Sequence, residues 1–344
     1  MAQSLLDTAL DDPTLVTFVP VLQSAVQLDQ SGIDRLMRAL NSGAVPIEMF
    51  RNLANGGVTR QLTGGAFRDL LLLVADQPDG IDVALEIFQS RLFSDRFSKM
   101  QLVPELLETG RELMRRFRFK QRSDLDDYSA AEVVRICFVG PEAAPFAAEL
   151  AGRIKRAILS YETYSFDNGE LVKSLLKVQP IAVLDALFKG DDSEQQEAVS
   201  VFEQLDDHKS NPADEISCED LLAWCKQDCE KRFLLAASFI TFAHNAENSG
   251  GKAWSEQAKT LLAHAPDPEK VLAIFVERFR PMSWSGSRAA LLEANARLLD
   301  SLDKEMTRGL TLNLAETKAQ LAREIEEAHE RETATDRARD ERFE

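Results

Sequence analysis

The sequence predicts an all-α protein, an elongated solenoid of stacked antiparallel helix pairs, and three observations carry that prediction. Hydrophobic residues make up 44% of the 344 positions while aromatics reach only 7% and Gly and Pro are few, a profile that favours helices. No run alternates in Val, Ile, Thr and Tyr as a half-buried strand does, so any sheet is minor. Apolar residues recur at helical spacing between short breakers, and short links leave neighbouring helices antiparallel.

In chain order, Ser31 is the expected cap of a helix through Leu40 that Asn41-Ser42-Gly43 ends. Pro46 stands where a first turn accepts proline, and Asn55-Gly56-Gly57 stops the helix it opens. Helices follow over 65–75, 79–92 and 103–118, the first two separated by the turn Gln77-Pro78-Asp79-Gly80. The second half repeats the habit over 131–139, 145–160, 168–178 and 180–188. Polar, acidic loops at 189–193 and 206–217 come next, and helices resume over 218–243, 253–264, 268–279 and 287–302.

Two helices share a detailed pattern. Leu106, Leu107, Leu113, Met114 and Phe117 fall at the same offsets as Leu291, Leu292, Leu298, Leu299 and Leu302. Each set lies on one face, as packing on a single layer of neighbours requires. The absence of a strict consensus points to the looser HEAT or armadillo type, whose units of roughly 40–47 residues must stack to bury their apolar faces. The solenoid is expected over 1–303, with a subdivision near 119–128 or 189–217, and a charged C-terminal helix or tail over 304–344. In that tail Leu314, Leu321, Ile325 and Ala328 continue one apolar stripe. Packing is therefore expected to about Ala328, and solvent beyond.

A formal net charge of -17 disfavours nucleic acid and anionic membrane at long range, and suits another protein as partner. No apolar run reaches the roughly 20 residues a bilayer needs. Cys137, Cys218, Cys225 and Cys229 are too few for a disulfide scaffold, and the N-terminus lacks a basic leader, so the cytoplasm is the expected compartment.

Catalytic and cofactor motifs are not found, and the expectation is a non-enzyme with no cofactor and no metal. Ser249-Gly250-Gly251-Lys252-Ala253 ends like a phosphate loop, but Ala253 replaces the Ser or Thr that such a loop needs. Gly56-Gly57 and Gly64-Gly65 could form anion nests, yet more simply end and begin helices. His208, Cys218, Cys225 and Cys229 lack the paired ligand spacing of a zinc site. Glu326 and His329 form a single E-x-x-H, half of a di-iron pair.

One cluster runs against the overall charge. Arg111, Arg115, Arg116, Arg118, Lys120 and Arg122 surround Phe117 and Phe119, and Arg153, Lys155 and Arg156 fall on a helix that could lie nearby. Such a patch suits phosphate, nucleic acid or an acidic protein, with aromatics available for stacking. The alternative is ion pairing, because Asp124, Asp126 and Asp127 follow at once and neighbouring helices are acidic.

The stretch from Arg278-Phe279-Arg280-Pro281-Met282-Ser283-Trp284-Ser285-Gly286-Ser287-Arg288 into a Leu-rich helix, with a charged tail closing on Arg342-Phe343-Glu344, resembles the C-terminal helical-repeat region of large bacterial anti-phage proteins of the STAND NTPase type. Leu53-Ala54-Asn55-Gly56-Gly57 and Asp82-Val83-Ala84-Leu85-Glu86-Ile87-Phe88 are similar to helix pairs of the same regions. The resemblance covers about a third of the chain and implies a repeat that senses a partner while a separate domain acts; this chain shows no NTPase or nuclease domain. The resulting expectation is a non-catalytic protein-interaction module, a sensor or scaffold component of a bacterial, and by the resemblance an antiviral defence, system. A nucleic-acid-binding solenoid using the Arg111 to Arg122 patch is the second reading, and a helical enzyme with a buried site the third.

Overall fold

The structure, a computed structural model, describes residues 2–26, 28–97, 102–120, 127–205, 210–245, 251–280, 286–302 and 314–340. Among the described residues the chain is all-α apart from one two-stranded ribbon, and it divides into two units, Met1–Asp207 and His208–Glu344.

The first unit contains α1 (Ala2–Asp11), α2 (Val19–Ser24), α3 (Gln30–Asn41), α4 (Gly56–Thr59), α5 (Gly64–Ala75), α6 (Gly80–Phe97), α7 (Pro104–Arg116), α8 (Asp127–Cys137), α9 (Ala144–Leu159), α10 (Gly169–Val178), α11 (Pro180–Leu187) and α12 (Asp192–Leu205). Helices α3, α5, α7, α9 and α11 pack side by side in one layer. The 3-10 segment Ile47–Leu53 with α4, then α6, α8 and α10, forms the other. Successive pairs α5/α6, α7/α8 and α9/α10 bridge the layers, which is the solenoid arrangement of helix hairpins. The seam between layers is dry: Phe67, Leu70, Phe88, Leu113, Val134, Leu150, Leu175 and Leu184 are all buried.

The second unit holds α13 (Cys218–Cys225), α14 (Arg232–Phe239), the antiparallel strands β1 (Ala243–Asn245) and β2 (Lys252–Trp254), α15 (Glu256–His264), α16 (Pro268–Arg278), α17 (Arg288–Ala296) and α18 (Leu314–Asp340). Here α13 packs on α15, α14 on α16, and α17 on α18.

Helix starts follow local chemistry. Asp29, extended at φ -105 and ψ -174, accepts from the Gly32 amide and caps α3 in place of the expected Ser31. Thr63, Ser217, Ser255, Asp267 and Ser287 cap α5, α13, α15, α16 and α17 through their side-chain oxygens. Asn55 opens α4 by accepting from Gly57, and the segment that Pro46 precedes is 3-10 rather than α.

The helix expected over 218–243 is broken. Residues 226–231, Lys-Gln-Asp-Cys-Glu-Lys, are all exposed and offer no apolar stripe to pack, so the chain turns between α13 and α14. The helix expected from 253 begins at Glu256, because Lys252–Trp254 pairs with Ala243–Asn245 as a ribbon. That ribbon delivers Trp254 into a cluster with Phe242, Phe275 and Phe279, and the indole Nε1 donates to the Leu298 carbonyl at 2.9 Å. Among the described residues no helix is long and apolar enough to cross a membrane.

Candidate functional site

The basic cluster sits at the C-terminal end of α7, and the structure divides it by role. Pro104 at the first turn starts the helix, and Phe117, with φ -55 and ψ 136, ends it. Leu106, Leu113 and Met114 face the core, and Arg111, one turn before Met114 on the flank of that stripe, is buried against the end of α8. Arg111 Nε donates to the Cys137 carbonyl at 2.6 Å, and Nη2 to the Val139 carbonyl at 3.1 Å and to Glu142 Oε1 at 3.0 Å. A cation thus closes the C-terminal end of α8, where free carbonyls and the helix dipole both favour positive charge.

Arg115 lies over the Phe146 ring at 4.7 Å and bonds Glu149 at 3.1 Å and Glu112 at 3.4 Å. Arg116 pairs with Glu112 at 3.1 Å and with Asp76. Lys120 reaches the buried Asp82 carboxylate at 3.0 Å. Arg122 lies outside the described residues, as do Asp124 and Asp126. Of the cluster, Arg118 alone is exposed with no hydrogen bond or ion pair among the described residues. Four of the five described cations are therefore spent within the fold.

Helix α9 contributes the rest of the local charge. Arg153 turns its guanidinium onto the carbonyls of Met114 (3.0 Å), Arg115 (2.7 Å) and Phe117, closing the end of α7, and stacks on Phe119 at 5.6 Å. Lys155 is buried and donates to the Leu187 carbonyl at 2.9 Å and the Glu194 carbonyl at 2.6 Å; burial holds its pKa below the ordinary lysine value, opposed by Glu197 and Glu194. Arg156 is exposed, again with no ion pair among the described residues. Arg118, Phe119, Arg153 and Arg156 line one open cleft of about 710 Å³.

A second concavity, about 640 Å³, opens between the 47–54 segment, α6 and α8. Phe93, Leu92 and Ile136 supply its apolar floor, and Glu86, Glu132 and Arg96 its charged margin. Phe93 is 72% exposed although most residues of α6 are buried. No protein-family model, curated protein or solved structure matches the chain. The reading of both surfaces therefore stands on their residues.

The other sequence features have structural places. Gly64 and Gly65 begin α5, and Gly57 lies in the first turn of α4. Lys252 of the Gly251-Lys252-Ala253 run lies in β2 and donates to Asn295 Oδ1 at 2.7 Å, while Ser249, Gly250 and His208 lie outside the described residues. Burial pushes the Cys137 and Cys225 thiols up to about 12, far from nucleophilic. His329 on α18 meets Glu293 of α17 at 3.0 Å. Among the described residues no group of three or more His, Cys, Asp or Glu is placed to hold a metal ion. Sequence reasoning singled out the arginines but missed the Phe93 groove. The available signal was α6 itself, whose apolar residues (Ile81, Val83, Leu85, Ile87, Leu92, Phe93) spread over more than one face, more than a single layer of neighbours needs.

Proposed function

We propose that the chain is a non-catalytic protein-interaction module, a sensor or scaffold component of a larger bacterial system, that takes a partner segment in the groove between α6 and α8. The observation that carries this is Phe93, a large apolar ring presented to solvent beside Leu92 and Ile136 and rimmed by Glu86, Glu132 and Arg96. An apolar anchor point inside a polar margin is the anatomy of an interaction hot spot. Stacked helix pairs add a broad surface on which such a point can sit. The resemblance to helical-repeat regions of anti-phage proteins supplies the condition under which to look.

The test is capture of the tagged full chain from its native host, with and without phage challenge, beside a Phe93→Asp variant. A protein recovered in stoichiometric amount by the natural chain and lost with Phe93→Asp supports the reading. Equal recovery by both, or a chain that recovers no protein under either condition, overturns it.

A further inference from the structure

The cleft at the ends of α7 and α9 is separate from the Phe93 groove and has a different chemistry. Arg115, Arg116 and Lys120 each reach a carboxylate within 4.0 Å, whereas Arg118 and Arg156 reach none among the described residues, and Glu162 lines the same cleft without pairing to either. Arg153, between them, has its fork committed to the carbonyl oxygens that end α7. Burial lowers its pKa, and the charge of Arg156 pushes the same way against Glu149. Among the described residues the cleft is thus a local excess of positive charge on a chain of net charge -17, next to the Phe119 ring, one face of which Arg153 covers, and an apolar wall at Ala157 and Leu159.

We propose that this cleft binds an organic phosphate carrying a flat ring, with Arg118 and Arg156 on the phosphate oxygens and the Phe119 side of the cleft against the ring. A planar guanidinium presents paired donors that match phosphate oxygens, and two such groups suit a dianion better than one carboxylate. A cleft of about 710 Å³ falls in the range of small-ligand sites, roughly 300–1,000 Å³. A nucleic-acid strand fits less well. It needs cations along a track of several nucleotides, and the cations flanking this cleft are neutralised by Glu112, Glu149, Asp76 and Asp82.

A mononucleotide and a phosphotyrosine side chain share the required chemistry, and binding measurements separate them. Titration calorimetry on the full chain at low ionic strength would use AMP, a phosphotyrosine peptide and its unphosphorylated form. Saturable binding of AMP assigns a free nucleotide; binding of the peptide only when phosphorylated assigns a modified partner. Either supports the site when inorganic phosphate competes and when the Arg118→Glu/Arg156→Glu variant binds at least about tenfold more weakly. The control Arg38→Glu, an exposed arginine on α3, is expected to bind as the natural chain does, and unchanged helix content in both variants shows that folding is intact. No saturable binding of either probe, equal affinity in the double variant, or preference for a short single-stranded oligonucleotide overturns the proposal.

Discussion

Arg111 shows how one residue can be misjudged as surface charge. Its helix is amphipathic, and the guanidinium lies at the edge of the apolar face next to Met114, where the end of α8 leaves carbonyls to satisfy. Replacing it with methionine keeps much of the volume but strands the Cys137 carbonyl. Arg111→Met is expected to cost about 3 kcal/mol in urea unfolding, in the range for unsatisfied buried groups. A loss below about 1 kcal/mol would mean that water replaces the guanidinium there. One residue earlier, Gly110 lets α7 approach α6 and α8: a Cβ built there would lie 2.4 Å from Cys137 Sγ and 2.9 Å from the Phe88 ring. Gly110→Ala is therefore expected to destabilise by about 2 kcal/mol through overpacking, despite the better helix propensity of alanine. A stabilised Gly110→Ala protein would show that the three helices separate at little cost.

Between elements, a recurring device joins several helices to one about a repeat away. Arg111 closes α8, Arg153 closes α7, Lys155 closes α11, and Arg278 donates at 2.8 Å to both Ala237 and Ile240 at the end of α14. Gln179 does the same with the carbonyls of Phe138 and Gly140 past α8. Most of these bonds span 32–41 residues, close to a helical-repeat unit, so the repetition lies in polar caps as much as in the leucine pattern. Helix α18 is held by the opposite charge. Glu324 receives both Nε (2.6 Å) and Nη2 (2.9 Å) of Arg280, and Glu332 accepts from Ser287 Oγ (2.8 Å) and the amides of Arg288 (2.6 Å) and Ala289 (3.1 Å), capping α17. Leu321 and Ala328 are buried, so the apolar contact ends near the expected Ala328 while the polar contact runs a turn further.

These bonds hold the Glu324 pKa (Arg280 first) and the Glu332 pKa (Ser287 first) below the ordinary glutamate value of 4.5. The unfolded chain takes up protons first as pH falls. The stabilisation is therefore complete above pH 4.5 and lost as pH drops through the lower folded values. The melting temperature of a Glu324→Gln/Glu332→Gln variant should lie below that of the natural chain at pH 7 and converge on it in acid. Parallel curves would show that these carboxylates do not hold α18.

At the scale of the whole molecule, the acidic charge is not evenly neutralised. Arg111, Arg115 and Arg116 near the α7 end pair with Glu and Asp, and the net charge of -17 leaves the remaining surface hostile to polyanions. Two openings in the unit Met1–Asp207 differ in kind, an apolar one at Phe93 and a cationic one at Arg118 and Arg156. A partner segment in the first and an organic phosphate in the second are compatible with one interaction module, and each is testable without the other.

The sequence by itself determined the all-α class and most helix starts, because capping residues, prolines at first turns and the apolar period act over a few residues: α5, α9, α10, α11 and α16 lie within about two residues of where local chemistry puts them. The break in 218–243 is local too, in the polar run 226–231 that offers no apolar stripe, although the expectation of one helix passed over it. What the sequence could not do is sort the arginines. Arg111, Arg116 and Arg118 look alike in a run of charge, and only the ends of α8 and the carboxylates of α5 and α7 decide that the first is buried, the second paired and the third left to solvent. Local order is written in neighbours along the chain, whereas the fate of a charge is decided by neighbours in space.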